Sequence, residues 1–146
     1  MDEAINVVRE VRKRYDGAKR NPWNDIECGY NYARSMAAFS FLPALCGFTA
    51  DMPKNRFTFN PVTTEDVKSV WSVATGWGTV EISDNYIKLD IKDGYVTLKE
   101  LYLPFVKEVT SVGVDGKNLV FSFKNNVLEF ENVTIKNSIH IAIKKQ

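Results

Sequence analysis

YIKLDIKDGYVTLKELYL, residues 86–103, decides the fold. Ile87, Leu89 and Ile91 alternate with Lys88, Asp90 and Lys92, the period of two that gives a strand one apolar and one wet face. Asp93-Gly94 follows, a pair favoured in two-residue hairpins. In the next run the apolar set is Val96, Leu98, Leu101 and Leu103, so its parity slips at Lys99-Glu100 and predicts a bulge.

The same pattern extends in both directions. Strands are predicted over 56–59, 70–74, 78–82, 86–92, 95–103, 109–114, 119–123, 127–131, 134–136 and 139–144. Asp115-Gly116 and Asn125-Asn126 supply two further hairpin turns. Short strands between such turns read as an antiparallel β-sandwich-like module. Within it His140 falls on the polar face of a terminal strand, and Trp71 and Trp77 are either packed strand aromatics or a platform for a sugar ring. The segment Asn132-Val133-Thr134 matches a glycosylation sequon.

Before residue 50 the period is 3.6 and the composition differs. Arginine occurs five times there and once afterwards, so a boundary is placed near residue 50, between a helical segment, 1–50, and a β module, 51–146. The class is α+β, with an N-terminal helical pair ahead of the sheets. Ile5, Val8, Val11 and Tyr15 form the stripe of an amphipathic helix over 2–15 that Gly17 ends. A second helix is read within 21–47, NPWNDIECGYNYARSMAAFSFLPALCG, with Asp25 and Glu27 in its first turn and Gly47 closing it. Pro43 should loosen its last turn, because it removes the bond to the carbonyl of Phe39.

This second helix is apolar on nearly every side, which predicts burial, yet it carries Arg34. Glu27 lies seven residues earlier, roughly 10 Å along the axis on nearly the same face. Asp25, Glu27 and Arg34 converge either as a structural ion pair or as a polar pocket that Trp23 walls, with carboxylates accepting from hydroxyls and the guanidinium donating. Such a pocket suits a sugar.

The run DGAKRNPWNDIECGYNYARSMAAF, Asp16 to Phe39, resembles a stretch near the C-terminus of glycoside hydrolase family 116, the β-glucosidases related to non-lysosomal glucosylceramidase. RNPW, an acidic pair, ECG and YARSMA occur in that order without a gap. Arg56 to Pro61 and Gly76-Trp77-Gly78-Thr79 extend the likeness loosely. The resemblance implies the end of an (α/α)6 barrel that cleaves β-glucosides with retention. It also implies that the glutamate nucleophile and aspartate acid/base lie upstream of this motif, so no catalytic residue is expected here. Arg34 matches the family's sugar-contacting arginine. The acid matches Asp25, where the family more often has glutamate, with Glu27 as the second candidate. The expected substrate-binding residues are therefore Trp23, Asp25, Glu27 and Arg34. Expected partners are a β-glucoside or other small sugar, an upstream catalytic barrel in the same or a separate chain, and a second copy of the chain as a homo-oligomer. The isolated chain should be inactive. The alternative is a free-standing, non-catalytic carbohydrate-binding or structural module.

Composition narrows the rest. The net charge of +1 speaks against nucleic acid and against an electrostatically held membrane surface. No apolar run approaches the ~20 residues of a membrane span. Met1-Asp2-Glu3 has the wrong charge for a secretory signal, so a cytoplasmic location is expected if Met1 is the native start. Cys28 and Cys46 sit roughly 27 Å apart on a continuous helix, which forbids a disulfide between them. With His140 the only histidine, neither metal nor other cofactor is expected. Asp25 and Glu27, two residues apart, do not face each other on a helix and are rejected as an autonomous catalytic pair.

Overall fold

The computed structural model describes residues 2–15, 18, 40–63 and 65–145. The chain divides into two compact units, Met1–Phe39 and Ser40–Gln146. In the first, helix α1 spans Asp2–Arg12 and a 3-10 turn, Lys13–Tyr15, follows it. Asp2 and Glu3 occupy the first turn, where the helix dipole favours negative charge. Val8, expected on the packed stripe, is exposed.

The second unit opens with helix α2, Phe41–Cys46, with Ser40 as its N-cap; the rest of the helix expected within 21–47 lies outside the described residues. Pro43 fits this short helix. It has no N–H for the carbonyl four residues back, and it is tolerated only in a first turn, where it now lies. Gly47 closes the helix at φ +61°, as expected, and a Cβ there would stand 2.0 Å from the carbonyl oxygen of Asn60. The helix is not apolar-buried all round: Cys46 is fully buried, whereas Phe41 and Leu42 are exposed. It packs on β3, Val67–Val73, whose Ser69 hydroxyl donates to the Leu42 carbonyl at 3.3 Å.

Two sheets follow. The five-stranded sheet holds β1 (Thr49–Asp51), β2 (Arg56–Thr58), β6 (Val96–Tyr102), β10 (Val127–Ile135) and β9 (Phe121–Lys124), in the order β1-β2-β6-β10-β9. The six-stranded sheet holds β3, β4 (Gly76–Ile82), β5 (Tyr86–Gly94), β11 (Ser138–Lys145), β7 (Val106–Val114) and β8 (Lys117–Asn118), in the order β3-β4-β5-β11-β7-β8. Inward side chains of both sheets form one apolar core, giving a β-sandwich-like module. Phe57 of β2 meets Trp71 of β3 at 5.5 Å between ring centroids, and Phe48 packs edge-on against Phe57 at 5.1 Å. No helix among the described residues is long and apolar enough to cross a membrane.

Several pairings differ from the sequence reading. β2 and β6 run parallel, whereas every other described pair is antiparallel. Asp93-Gly94 is not a hairpin: β5 and β6 lie in different sheets, and the chain crosses between them after Gly94, at φ +76°. The other two turns are tight hairpins with positive φ at both central residues, Asp115-Gly116 joining β7 to β8 and Asn125-Asn126 joining β9 to β10. The slip at Lys99-Glu100 is present. Both amides donate to the carbonyl of Asn55, at 2.8 and 3.2 Å, and β10 shifts register opposite them between Glu129 and Val133. The two strands expected over 127–136 are thus one bulged strand.

The crossing from β10 to β11 is held by a carboxylate. Asp115 accepts from the amides of Asn137 and Ser138 through Oδ1, at 2.9 and 2.8 Å, and of Lys136 through Oδ2, at 3.1 Å. Burial works to raise its pKa, but the amides of Ser138, Lys136 and Asn137 outweigh that and hold it below the ordinary carboxylate value. A depressed folded-state pKa contributes stability that is complete above the unfolded value, about 4, and is lost as pH falls through the folded value. Asp115→Asn is therefore expected to lower stability by about 1 kcal/mol at pH 7. Denaturant titrations at a series of pH values should show that difference shrinking below about pH 4.

Candidate functional site

Trp23, Asp25, Glu27 and Arg34, the residues the sequence assigns to sugar binding, lie outside the described residues, as does Cys28. Cys46 is described. Burial pushes its thiol up to about 11 against the opposing hydrogen bond of Ser69, so it is not a thiolate at neutral pH. Among the described residues no group of three or more His, Cys, Asp or Glu side chains is placed to hold a metal ion.

Most polar side chains on the outer sheet faces already have partners. On the five-stranded sheet Arg56 Nε donates to Glu100 at 2.7 Å, and Lys99 pairs with Glu129 at 3.1 Å. On the six-stranded sheet Lys68 pairs with Glu81 at 3.1 Å, and the Tyr86 hydroxyl donates to the same carboxylate at 2.9 Å. Those bonds from Lys68 and Tyr86 hold the Glu81 carboxyl low, and the bond to Glu81 in turn raises the Tyr86 phenol. The Tyr86 ring stacks on His140 at 5.5 Å with a 14° interplanar angle. These are cross-strand pairs of the kind that support a sheet.

One row on the six-stranded sheet is different. The register sets Ser72 of β3 opposite Trp77 of β4, and Trp77 opposite Asp93 of β5. Cross-strand partners point to the same face with Cβ atoms about 4.5–5.5 Å apart. Trp77 is 48% exposed, and Ser72 and Asp93 are exposed beside it. Among the described residues nothing in the protein forms a hydrogen bond or ion pair with any of these three side chains. Val70, diagonal to Trp77, is exposed as well.

The local sequence builds this presentation. Gly78 lies opposite Trp71, whose ring is buried at 1% exposure and whose indole N–H donates to the Thr79 carbonyl at 3.3 Å. A Cβ on Gly78 would stand 1.9 Å from the Asp90 carbonyl oxygen and 2.8 Å from the Trp71 ring. On the other side, a Cβ on Gly76 would meet the Asp93 carbonyl oxygen at 2.6 Å. Between Trp77 and Gly78 the β4–β5 register shifts, so Lys92 is the extra residue of a bulge. The bulge lies in β5 and brings Asp93 opposite Trp77, which itself faces outward by the alternation of β4. Of the two tryptophans offered as a platform, Trp71 is core and Trp77 is surface.

Chemically, the row offers an aromatic face, an indole donor, a carboxylate acceptor and a hydroxyl that does either. Sequence reading named Trp77 but missed Ser72 and Asp93. Asp93 had been assigned to a hairpin turn, and the three residues become neighbours only through the β3–β4–β5 register. No family model and no curated protein matches the chain.

Gly78→Ala is expected to lower stability by at least about 2 kcal/mol, because backbone on one side and a core ring on the other leave no room for the methyl. Gly116→Ala, at φ +81° with open space around it, should lose only about 1 kcal/mol to backbone strain. Chemical denaturation of the two variants checks both values.

Proposed function

We propose that the chain is part of a glycoside hydrolase of the family 116 kind. In this reading it contributes sugar-contacting residues to a β-glucoside site and carries a non-catalytic β-sandwich-like module. The observation that carries the proposal is the ungapped run from Asp16 to Phe39, in which RNPW, the acids Asp25 and Glu27, ECG and YARSMA keep the family's order. Asp25 or Glu27 accepts hydrogen bonds from hydroxyls of the glucosyl unit, Arg34 donates to them and keeps the acids ionised, and Trp23 walls the pocket. The segment holding them is the end of an (α/α)6 barrel. The nucleophile and acid/base come from sequence other than these 146 residues, in the same or another chain, so the 146 residues alone do not hydrolyse glycosides. The exposed Phe41 and Leu42 leave apolar surface for such a partner or for a second copy of the chain.

A second reading, a carbohydrate-binding module without hydrolase function, is favoured by one observation, the half-exposed Trp77 with Ser72 and Asp93 on either side.

The first reading is tested on the native polypeptide, captured from its source cells and assayed with 4-nitrophenyl β-glucoside. The expected result is turnover with retained anomeric configuration. Arg34→Ala in the same polypeptide should lower kcat/KM by about 100-fold, the loss of roughly 3 kcal/mol of charged hydrogen bonding. Absence of turnover, or an Arg34→Ala variant with unchanged kcat/KM, contradicts it.

A further inference from the structure

We infer that the row Ser72–Trp77–Asp93 is a second carbohydrate-binding site, separate from the Asp25–Arg34 segment, that takes a neutral oligosaccharide. Its choice of sugar over other ligands rests partly on the glycoside reading above; the site itself rests on geometry.

Three observations converge. First, Trp77 faces outward by the alternation of β4, Gly78 must be glycine for β5 and the Trp71 ring to approach, and the bulge in β5 sets Asp93 rather than Lys92 opposite the indole. Second, the side chains on either side are an unpaired carboxylate and an unpaired hydroxyl, whereas Glu81, Glu100, Glu129 and Asp90 on the same two outer faces all have cationic partners. Third, the charge balance of the patch selects the ligand class. Lys68 pairs with Glu81 and Lys88 with Asp90, which leaves Asp93, directly opposite Trp77, and the adjacent Lys92 as the unpaired charges, one of each sign. A patch with one charge of each sign favours a neutral ligand, and its carboxylate accepts from hydroxyls.

A pyranose ring matches this set. Its C–H face stacks on the indole, two of its hydroxyls reach Asp93 and Ser72 on opposite sides, and a ring oxygen or hydroxyl accepts from the indole N–H. The site lies on an open sheet face, so it suits an internal unit of an extended chain as well as a chain end.

The test is titration of the 146-residue chain with cellohexaose and, separately, laminarihexaose, followed by calorimetry and by amide shifts in nitrogen-15 NMR. Expected are saturable binding of at least one of them and shifts centred on residues 72, 77 and 93. Trp77→Ala should weaken affinity at least tenfold, Asp93→Asn severalfold, and Trp77→Phe should recover most of the loss. Lys124→Ala, on β9 of the other sheet, should leave this binding unchanged. Three results would overturn the site: no saturable binding of either glucan at millimolar concentration, affinity unaltered by Trp77→Ala, or shifts that map elsewhere. Binding lost in Arg34→Ala and kept in Trp77→Ala overturns this inference while supporting the barrel-segment reading. Binding lost in Trp77→Ala, together with a native polypeptide that shows no glucosidase activity, does the reverse.

Discussion

The contact of Phe57 with Trp71, 5.5 Å between centroids, is where the two sheets become one body. Full burial of one such ring stabilises by roughly 1.5–3 kcal/mol, and here each ring lies over a partner from the opposite sheet. Much of the local design follows from accommodating Trp71. Its indole N–H, out of reach of water, takes the Thr79 carbonyl, and its ring occupies the space a side chain at residue 78 would need. Gly78 then lets β5 come close, the register shifts by a residue, and Asp93 rather than Lys92 stands opposite Trp77 on the far face. A core requirement on one side of β4 thereby sets the surface chemistry on the other.

The fold was legible where the code is local. The alternation of Ile87, Leu89, Ile91 and of Ile139, Ile141, Ile143 placed the buried faces of β5 and β11, because side chains of a strand alternate whatever the neighbours are. Asp115-Gly116 and Asn125-Asn126 were read as hairpins and are hairpins, since those pairs tolerate the positive φ that such turns demand. Asp93-Gly94 carries the same signature and does something else. Gly94 uses its positive φ to leave one sheet for the other, and a dipeptide reports the backbone angle without reporting the destination. The parallel pairing of β2 with β6 was illegible for a related reason: Arg56 and Glu100 meet across 44 residues, and nothing near either one encodes the partner.

The same distinction governs the sites. The acids and arginine of residues 21–47 were named because they share one segment and one family-like order, and they lie outside the described residues. The row of Ser72, Trp77 and Asp93 was only one-third legible. A tryptophan between two glycines is noticeable in sequence, but a serine and an aspartate in separate strands become its neighbours only once register is known.

The proposed account makes the β-sandwich-like module the companion of a catalytic barrel, and the size of the native polypeptide tests that most directly. An antibody against the module, used on extracts of the source cells, should recover a polypeptide much larger than 16.6 kDa, or a 16.6 kDa chain bound to a separate one that carries β-glucosidase activity. Recovery of a 16.6 kDa chain alone, with no such companion, would contradict it.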